Sequence, residues 1–288
     1  MPHAEVVHEP KPLLSQIDVY GCTHKGLVRK TNADHFLVAS FHRAILVHAA
    51  SVPAESLPAF SPDSRGFVLL VADGVGSMAA GADGSAKVTD TIARYLVEMS
   101  EVSLMAQPNR EKEVLDKLRE AVSHVHVELQ EYAREIGAGA ATTITVCHMV
   151  WPCGFIAHAG DSRAYRLRNG NLERMTTDQT MAQAMIDSGT MSREAAEASR
   201  FRNVLLSAVG GTSMDLDLSA TDLKRGDRWL LCSDGLTRHV SDDEIRETLA
   251  SDRTSREMCE HLTDLSMQRG AEDNITVIAL RARRGEVI

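Results

Sequence analysis

The sequence predicts an α+β fold in which antiparallel sheets are covered by separate layers of helices. Short segments rich in β-branched and apolar residues follow one another with turns between them, which is typical of antiparallel strands. The long helical patterns fall into two blocks rather than after every strand, which argues against a βαβ winding. With 288 residues, of which 43% are hydrophobic, the chain can bury a substantial core.

Nine segments are predicted as strands from their β-branched or apolar runs: residues 17–23, 35–40, 44–49, 67–72, 142–149, 153–159, 163–168, 228–233 and 274–282. The dipeptide Asn169-Gly170, directly after the predicted strand 163–168, predicts a tight hairpin turn. Such turns join neighbouring strands and support antiparallel pairing.

Two long amphipathic helices follow the early strands, and two shorter helices precede the last strand. Apolar residues at helical spacing share one face in each long helix: Val88, Ile92, Tyr95, Leu96 and Met99 in the first, and Val114, Leu118, Val122, Val125, Leu129 and Ile136 in the second. The shorter helices begin at the capping boxes Ser241/Glu244 and Thr254/Glu257, and Gly270 ends the last one.

Two segments fall outside this pattern. Residues 51–65 carry three prolines and are predicted to form a surface loop. Residues 178–199 have a helical pattern but are polar and rich in methionine, which suggests a mobile flap. We expect one domain over residues 16–283, with a flexible tail at residues 1–15 and a short one at 284–288.

Composition excludes several classes of function. The formal net charge of −9 disfavours a nucleic-acid partner and docking on anionic lipid, because both need a basic surface. The five cysteines are odd in number and include no CxxC pair, so reduced thiols are expected and a zinc site is not. Neither a signal-peptide pattern nor an apolar run long enough to span a bilayer occurs, so a cytoplasmic location is expected.

Four aspartates lie at the ends of predicted strands: Asp73, Asp161, Asp234 and Asp273. A carboxylate at the end of a buried strand is costly unless it is paired or binds a cation. Each could instead begin an ordinary turn, since Asp-Gly is a common turn dipeptide. If the four strand ends meet at one edge of the fold, they form an oxygen-only cluster that suits Mg²⁺ or Mn²⁺ rather than Zn²⁺.

An ordered set of motifs surrounds these aspartates: Arg29-Lys30-Thr31-Asn32-Ala33-Asp34, Val71-Ala72-Asp73-Gly74-Val75-Gly76, Ala141-Thr142-Thr143, Gly160-Asp161-Ser162-Arg163, Ser233-Asp234-Gly235-Leu236 and Asp273-Asn274-Ile275-Thr276-Val277. Each motif is weak by itself, but six in this order over residues 17–282 resemble the phosphatase-2C family of metal-dependent protein phosphatases, particularly its compact bacterial members.

The resemblance implies a four-layer αββα sandwich of two antiparallel sheets flanked by helix pairs. It also implies hydrolysis of phosphoserine and phosphothreonine in proteins by a water activated between two Mn²⁺ or Mg²⁺ ions, with a third ion in some members. Phosphorylated proteins, and the serine/threonine kinase that modifies them, are the implied partners.

Roles follow for individual residues. Asp73 resembles the carboxylate that bridges two ions, with the Gly74 carbonyl as a further ligand. Asp234 and Asp273 match the other ligands of the first ion, and Asp161 matches a residue linked to a third ion. Arg29 matches the arginine that grips the substrate phosphate, so Arg29 and Asp73 are the expected catalytic residues. Arg163 is expected to pair with a local carboxylate rather than with substrate.

The sequence departs from the family pattern at Ala33, where glutamate is usual. The family glutamate supports the second ion directly or through water, so this site should be weakened. Asp34 and Asp73 remain, and Asp34 is expected to support the ion through water or from behind its ligands. Ser77 and Ala141 replace glycines, and Val75 stands where some members have histidine. The departure at Ala33 keeps open a pseudophosphatase that binds phosphoproteins or kinases without turnover. A phosphatase dedicated to one small regulatory protein is a further alternative, which nothing in the sequence separates from a general phosphatase.

Overall fold

The computed structural model describes Pro12 and residues 16–41, 45–50, 66–76, 78–103 and 111–282. The predicted loop 51–65, the tail 284–288 and the tail 1–15 apart from Pro12 lie outside these ranges. The strands are β1 (Ile17–His24), β2 (Asp34–Phe41), β3 (Ile45–Ala50), β4 (Gly66–Gly76), β5 (Ala140–Thr142), β6 (Ile144–Val150), β7 (Cys153–Ala159), β8 (Arg163–Arg168), β9 (Asn171–Arg174), β10 (Asp217–Asp222), β11 (Arg228–Cys232) and β12 (Ile275–Ala282).

Seven α-helices connect or flank these strands. They are α1 (Met78–Ser103), α2 (Glu111–Ile136), α3 (Met181–Asp187), α4 (Arg193–Glu197), α5 (Asp234–Thr237), α6 (Asp242–Ala250) and α7 (Ser255–Gln268) within the described ranges. A 3₁₀ helix, Arg200–Asn203, follows α4.

The strands form two antiparallel sheets. One has the order β1-β12-β11-β8-β9, and the other has the order β10-β7-β6-β4-β2-β3, with β5 paired to the end of β4. After β1 the chain enters the larger sheet, and it returns to the smaller sheet only at β8. The first strand, β1, pairs there with the last, β12. The predicted α+β class is confirmed.

The core has three layers of apolar contact, which place the helices on the outer faces of the sheets. The layer between the sheets includes Trp229 and Leu69, one from each sheet. A second layer packs α1 and α2 on the larger sheet, and a third packs α5, α6 and α7 on the smaller one. This stacking is the four-layer αββα arrangement that the resemblance implies.

Strand β4 shows how the sequence selects these layers. Its residues alternate between the two core clusters: Phe67, Leu69 and Val71 point between the sheets, whereas Val68, Leu70 and Ala72 point at the helices. Because both faces are buried, the segment is a continuous apolar run rather than an alternating one. The run ends at Asp73, where the strand reaches the edge of the core.

Most local signals in the sequence are confirmed. Both capping boxes form, and each serine or threonine side chain accepts a bond from the backbone of its paired glutamate. Asn169 and Gly170 both have positive φ angles of 51° and 83°, as a tight hairpin turn between β8 and β9 requires. Gly270 follows α7 with φ of 111°.

Three strands were not predicted, namely β5, β9 and β10. The strand β10, Asp217–Asp222, lies at an edge of the larger sheet and has only exposed or half-buried residues, so its alternation is limited to Leu218 and Ala220 and is too weak to identify a strand. The predicted inner face of α2 is buried except for Ile136, which ends the helix and is 41% exposed. Among the described residues, no helix combines the length and the apolarity that a membrane crossing needs.

We expect Leu69→Ala to lower the free energy of unfolding by about 2–5 kcal/mol, because the substitution leaves a cavity between the two sheets where Leu69 is fully buried. Val127→Ala on the half-exposed face of α2 is the control and should change it by no more than about 0.5 kcal/mol. Urea denaturation measures both, and equal effects would contradict the assigned core.

Candidate metal centre

Two aspartates on neighbouring strands face each other at one end of the space between the sheets. Asp34 begins β2 and Asp73 lies near the end of β4, and the two residues are directly paired in the strand register. Every second side chain of a strand lies on the same face, so Asp34 shares a face with Phe36 and Asp73 shares a face with Leu69. Both Phe36 and Leu69 belong to the layer between the sheets. Two carboxyl groups held opposite each other in this way repel when both are ionised.

Hydroxyl groups from the opposite sheet hold the Asp34 carboxyl. Ser233 Oγ and Thr276 Oγ1 donate to Asp34 Oδ2 at 2.7 and 2.8 Å. The other oxygen, Asp34 Oδ1, is buried and has no hydrogen-bond partner among the described residues. Burial raises the pKa of Asp34 to about 6, although the two hydroxyl groups act to lower it.

Three further aspartates reach the same region from the other strand ends. Asp234 is the first residue of α5 and lies two residues beyond the end of β11, Asp273 lies two residues before β12, and Asp161 lies between β7 and β8. Together with Asp73 and Gly74 they line a cavity of about 250 Å³. The structure therefore brings all the aspartates predicted as metal ligands around one cavity.

The carboxyl groups of this cluster disfavour one another's ionisation. Burial, followed by the charges of Asp34, Asp234, Asp161 and Asp273, raises the pKa of Asp73 well above its usual value. Burial likewise raises the pKa of Asp161, and the charge of Asp234 adds to this effect. Such a cluster is stabilised by any positive charge that enters it.

Two arginines supply positive charge in this structure. Arg29 Nη2 donates to Asp273 Oδ2 at 2.7 Å, and Arg238 Nη1 donates to the same oxygen at 3.0 Å. Arg238 also donates through Nη2 to Asp234 Oδ2. With these contacts made, no three acidic, histidine or cysteine side chains in the described part of the chain converge with the geometry of a metal site.

The donor chemistry nevertheless fits a divalent cation. Four carboxylates line the cavity, with hydroxyl and amide oxygens beside them and neither histidine nor cysteine among the described lining residues. Oxygen is the ligand type that Mg²⁺ and Mn²⁺ prefer. Asp34 Oδ1 and Asp234 Oδ1 are both buried without a hydrogen-bond partner in the described residues. Buried carboxylate oxygens of this kind are costly unless a donor or a cation compensates them.

Asn274 connects the cluster to the segment that carries Arg29. Its Nδ2 donates to the carbonyl groups of Lys25 and Thr31 at 2.9 and 3.0 Å, and its Oδ1 accepts from the Ala33 amide at 2.8 Å. Asn274 thereby fixes the loop between β1 and β2 at its start, Lys25, and at its end, Thr31 and Ala33. Arg29 is consequently held at the rim of the cavity, with its side chain 45% exposed.

The backbone of Asp73 is fixed by the two threonines of the Ala141-Thr142-Thr143 motif. Thr142 Oγ1 and the Thr143 amide both donate to the Asp73 carbonyl, at 2.9 and 2.8 Å, and the Asp73 amide donates to Thr143 Oγ1 at 3.1 Å. At Gly74 a Cβ atom would lie 2.4 Å from the Gly81 carbonyl oxygen, so only glycine fits this position.

The predicted flap, residues 178–199, is helical as α3 and α4. Its first residue, Asp178, makes a bidentate ion pair with Arg163, with a shortest distance of 2.6 Å. Arg163 thus pairs with a local carboxylate, as expected from the sequence. Asn203 and Leu205, which lie beyond the flap, contribute to the lining of the cavity.

Residues that sequence reasoning missed are the ones that hold the cluster. Ser233, Thr276 and Asn274 stand next to predicted ligands, but their sequence positions do not reveal that they bond to Asp34 and Ala33. Arg238 was not singled out either. Its spacing of four residues from Asp234 is the signal that could have found it, since such pairs share one face of a helix.

Comparison with known proteins identifies the relatives of this chain. The family model described as "Protein phosphatase 2C" matches residues 58–275. The serine/threonine protein phosphatase PstP of Mycobacterium tuberculosis is 31% identical over 211 residues, which are 73% of this chain and 39% of the relative. The serine/threonine phosphatase stp of Listeria monocytogenes is 32% identical over 214 residues, 73% of this chain and 82% of the relative.

A solved structure of the catalytic domain of PstP, in complex with two manganese ions, has the same fold. It superposes with a TM-score of 0.71 at 28% identity, over 93% of this chain and 98% of that one. The chain spans less than half the length of the curated mycobacterial protein, so the resemblance concerns the catalytic domain.

The raised pKa of Asp34 predicts a pH-dependent stability of the metal-free protein. A carboxyl group whose pKa is raised on folding stabilises the folded state fully below its unfolded pKa, and this stabilisation is lost as pH rises through the folded value of about 6. In EDTA, raising the pH from 5 to 7.5 should therefore lower the free energy of unfolding of the wild type by about 1 kcal/mol more than that of Asp34→Asn.

The measurement is urea denaturation of both proteins at each pH. Asparagine keeps a carbonyl acceptor for Ser233 and Thr276 and does not ionise, so it mimics the protonated carboxyl. A difference between the two proteins that is independent of pH would show that Asp34 does not change its protonation state between pH 5 and pH 7.5.

Proposed function

Because the chain belongs to the protein phosphatase 2C family, we propose that it is an active phosphatase that hydrolyses phosphoserine and phosphothreonine in proteins, with two or three Mn²⁺ or Mg²⁺ ions as cofactors. The observation that carries this proposal is the convergence of Asp73, Asp161, Asp234 and Asp273 on one cavity with Arg29 at its rim. The four carboxylates come from separate turns of the fold, and their mutual repulsion is a cost that cation binding would relieve.

Several residues of the chain would hold the ions. Asp73, the Gly74 carbonyl, Asp234 and Asp273 are the proposed ligands of the principal ions, and Asp161 is the proposed ligand of a third. Asp34, behind Asp73 and bonded to Ser233 and Thr276, would orient the cluster directly or through water. Divalent cations bound there would polarise a water molecule and neutralise the charge that develops on the phosphoryl oxygens.

The chain's own cation for the substrate is Arg29. Its guanidinium is held at the cavity rim by Asp273, and a planar guanidinium can donate two parallel bonds to a phosphate. In this structure its partner is a carboxylate whose charge a bound ion would share. We therefore expect Arg29 to exchange part of its contact with Asp273 for the substrate phosphate.

Phosphorylated proteins are the proposed substrates, and the kinase that modifies them is the proposed functional partner. Nucleic acid and membrane are not expected partners, since both are anionic and bind basic surfaces, whereas this chain has a net charge of −9. A cytoplasmic location stays a prediction.

A second candidate function is a pseudophosphatase that binds phosphoproteins without turnover. Two observations favour it: Ala33 replaces the usual acidic residue, and Arg238 bonds to two of the proposed ligands. The retention of the whole aspartate cluster favours catalysis, because a binding module needs no set of repelling buried carboxylates. Release of phosphate from a phosphothreonine peptide in Mn²⁺, and its absence in EDTA, would separate the two functions.

Asp73→Asn should lower kcat/KM for a phosphothreonine peptide by at least about a hundredfold, since the substitution removes the carboxylate proposed to bridge two ions. Phosphate release at saturating Mn²⁺ measures the effect, and circular dichroism shows whether the variant is folded. Asp90→Asn is the control, because Asp90 pairs with Arg94 on the surface of α1, away from the cavity, and its loss should leave activity unchanged. Wild-type activity in Asp73→Asn would make Asp73 an ordinary turn residue.

Ala33→Glu should lower the Mn²⁺ concentration for half-maximal activity by about threefold or more, because an added carboxylate favours the bound cation. The position suits this change: Ala33 lines the cavity beside Asp73 and Gly74, and its backbone is fixed by Asn274 and Gly74. An unchanged or higher half-saturation would show that a side chain at position 33 does not reach the ions. A silent wild type that Ala33→Glu activates would establish the pseudophosphatase.

A further inference from the structure

Arg238 contacts two aspartates of the cluster at once. One nitrogen of its guanidinium donates to Asp234 Oδ2 and another donates to Asp273 Oδ2 at 3.0 Å. These are the two aspartates proposed to ligate the same metal ion. The guanidinium therefore neutralises a pair of carboxylates that would hold a divalent cation.

The position of Arg238 is set by the fold. It directly follows α5, and its amide donates to the Asp234 carbonyl at 2.9 Å, so the arginine side chain lies one helical turn from the aspartate side chain. All three charged side chains are largely buried, with exposed fractions of 18% for Arg238, 12% for Asp234 and 13% for Asp273. Ion pairs that are shielded from water to this degree are stronger than those on the surface.

The ion pair between Arg238 and Asp234 leaves a polar atom of each partner without a hydrogen bond to any described residue. Arg238 Nε and Asp234 Oδ1 are both buried without a hydrogen-bond partner among the described residues. Asp273 Oδ2 accepts from Arg29 and Arg238 at once. The arrangement neutralises charge while leaving polar atoms uncompensated, which is what we expect of a contact that another cation can replace.

Space for the arginine to withdraw lies on its other side. Arg238 lines the cavity of the aspartates and also a neighbouring cavity of about 470 Å³. Asp161 lines both cavities as well, and Asp178 lines the larger one. The side chain can consequently leave Asp234 and Asp273 by rotation and still face carboxylates.

We propose that Arg238 is an intramolecular counter-cation that competes with the divalent ion for Asp234 and Asp273. It stabilises the carboxylate cluster in the metal-free protein and withdraws toward the larger cavity when the ion binds. It thereby sets the metal concentration at which the site fills. This inference rests on the proposed function, because it needs the cluster to bind a divalent cation.

The test is a calorimetric titration of Mn²⁺ into metal-free wild type, Arg238→Met and Arg174→Met. Methionine removes the guanidinium but keeps an unbranched apolar chain of similar reach. Arg174 lines the same larger cavity but contacts Asp178, so its variant controls for the loss of one nearby positive charge.

Arg238→Met should bind the first Mn²⁺ with a Kd lower by about tenfold or more, because the ion no longer has to displace a charged hydrogen-bond donor. Arg174→Met should stay within about threefold of wild type. Thermal unfolding gives a second readout. In EDTA the Arg238→Met protein should have a lower melting temperature than wild type, and saturating Mn²⁺ should raise the melting temperature of the variant by more than that of wild type.

The outcomes separate this inference from the proposed function. Equal Mn²⁺ affinity in wild type and Arg238→Met, or weaker affinity in the variant, would overturn the counter-cation alone. An equal increase of Mn²⁺ affinity in Arg174→Met would also overturn it, since the loss of any one positive charge near the site would then explain the effect. Failure of every protein to bind Mn²⁺ would overturn the proposed function and the counter-cation with it.

A variant that is unfolded in EDTA remains informative. Refolding of Arg238→Met on addition of Mn²⁺, followed by circular dichroism, would support the exchange of one cation for another. A variant that stays unfolded in saturating Mn²⁺ would overturn it, because Arg238 would then have a packing role that no ion replaces.

Discussion

Repulsion among buried carboxylates is the constraint on which the rest of this site depends. The fold directs Asp34 and Asp73 at each other across neighbouring strands and brings Asp161, Asp234 and Asp273 to the same place. A cluster of this kind folds only if protons, hydroxyl donors or cations compensate its charge. The structure shows two of these kinds of compensation. Hydroxyl groups donate to Asp34, and guanidinium groups donate to Asp234 and Asp273.

The two sheets bring the compensating groups together from distant parts of the chain. Ser233 and Thr276 lie on the smaller sheet and donate to Asp34 on the larger one, so these bonds connect the sheets at the site. Asn274 extends the same connection to the loop that carries Arg29. The acidic cluster and the arginine proposed to bind phosphate are thus built on one frame, which favours a fixed distance between ion and substrate.

Sequence reasoning reached the fold and the acidic residues for identifiable reasons. Asp73 ends an apolar run that is buried on both faces, and the capping boxes at Ser241 and Thr254 are local patterns that read directly as helix starts. The edge strand β10 carries a much weaker pattern, because only Leu218 and Ala220 alternate with polar residues and neither is fully buried.

The contacts between elements could not be predicted from the sequence in the same way. Ser233 and Asp34 are 199 positions apart, and only the register of the sheets makes them neighbours. Arg238 has a local clue in its spacing from Asp234, but its second contact with Asp273 depends on how α5 sits against β12. The charge compensation of the site is therefore a tertiary property, whereas the position of each carboxylate is a local one.

The central claim is that this aspartate cluster is a cation site. The direct measurement is the number of Mn²⁺ ions retained per chain, by equilibrium dialysis and elemental analysis at saturating metal. We predict at least two ions for the wild type, as a bridged pair requires, and fewer for a protein in which Asp234 and Asp273 are both replaced by asparagine. Retention of no Mn²⁺ by the wild type, or the same number by both proteins, would contradict it.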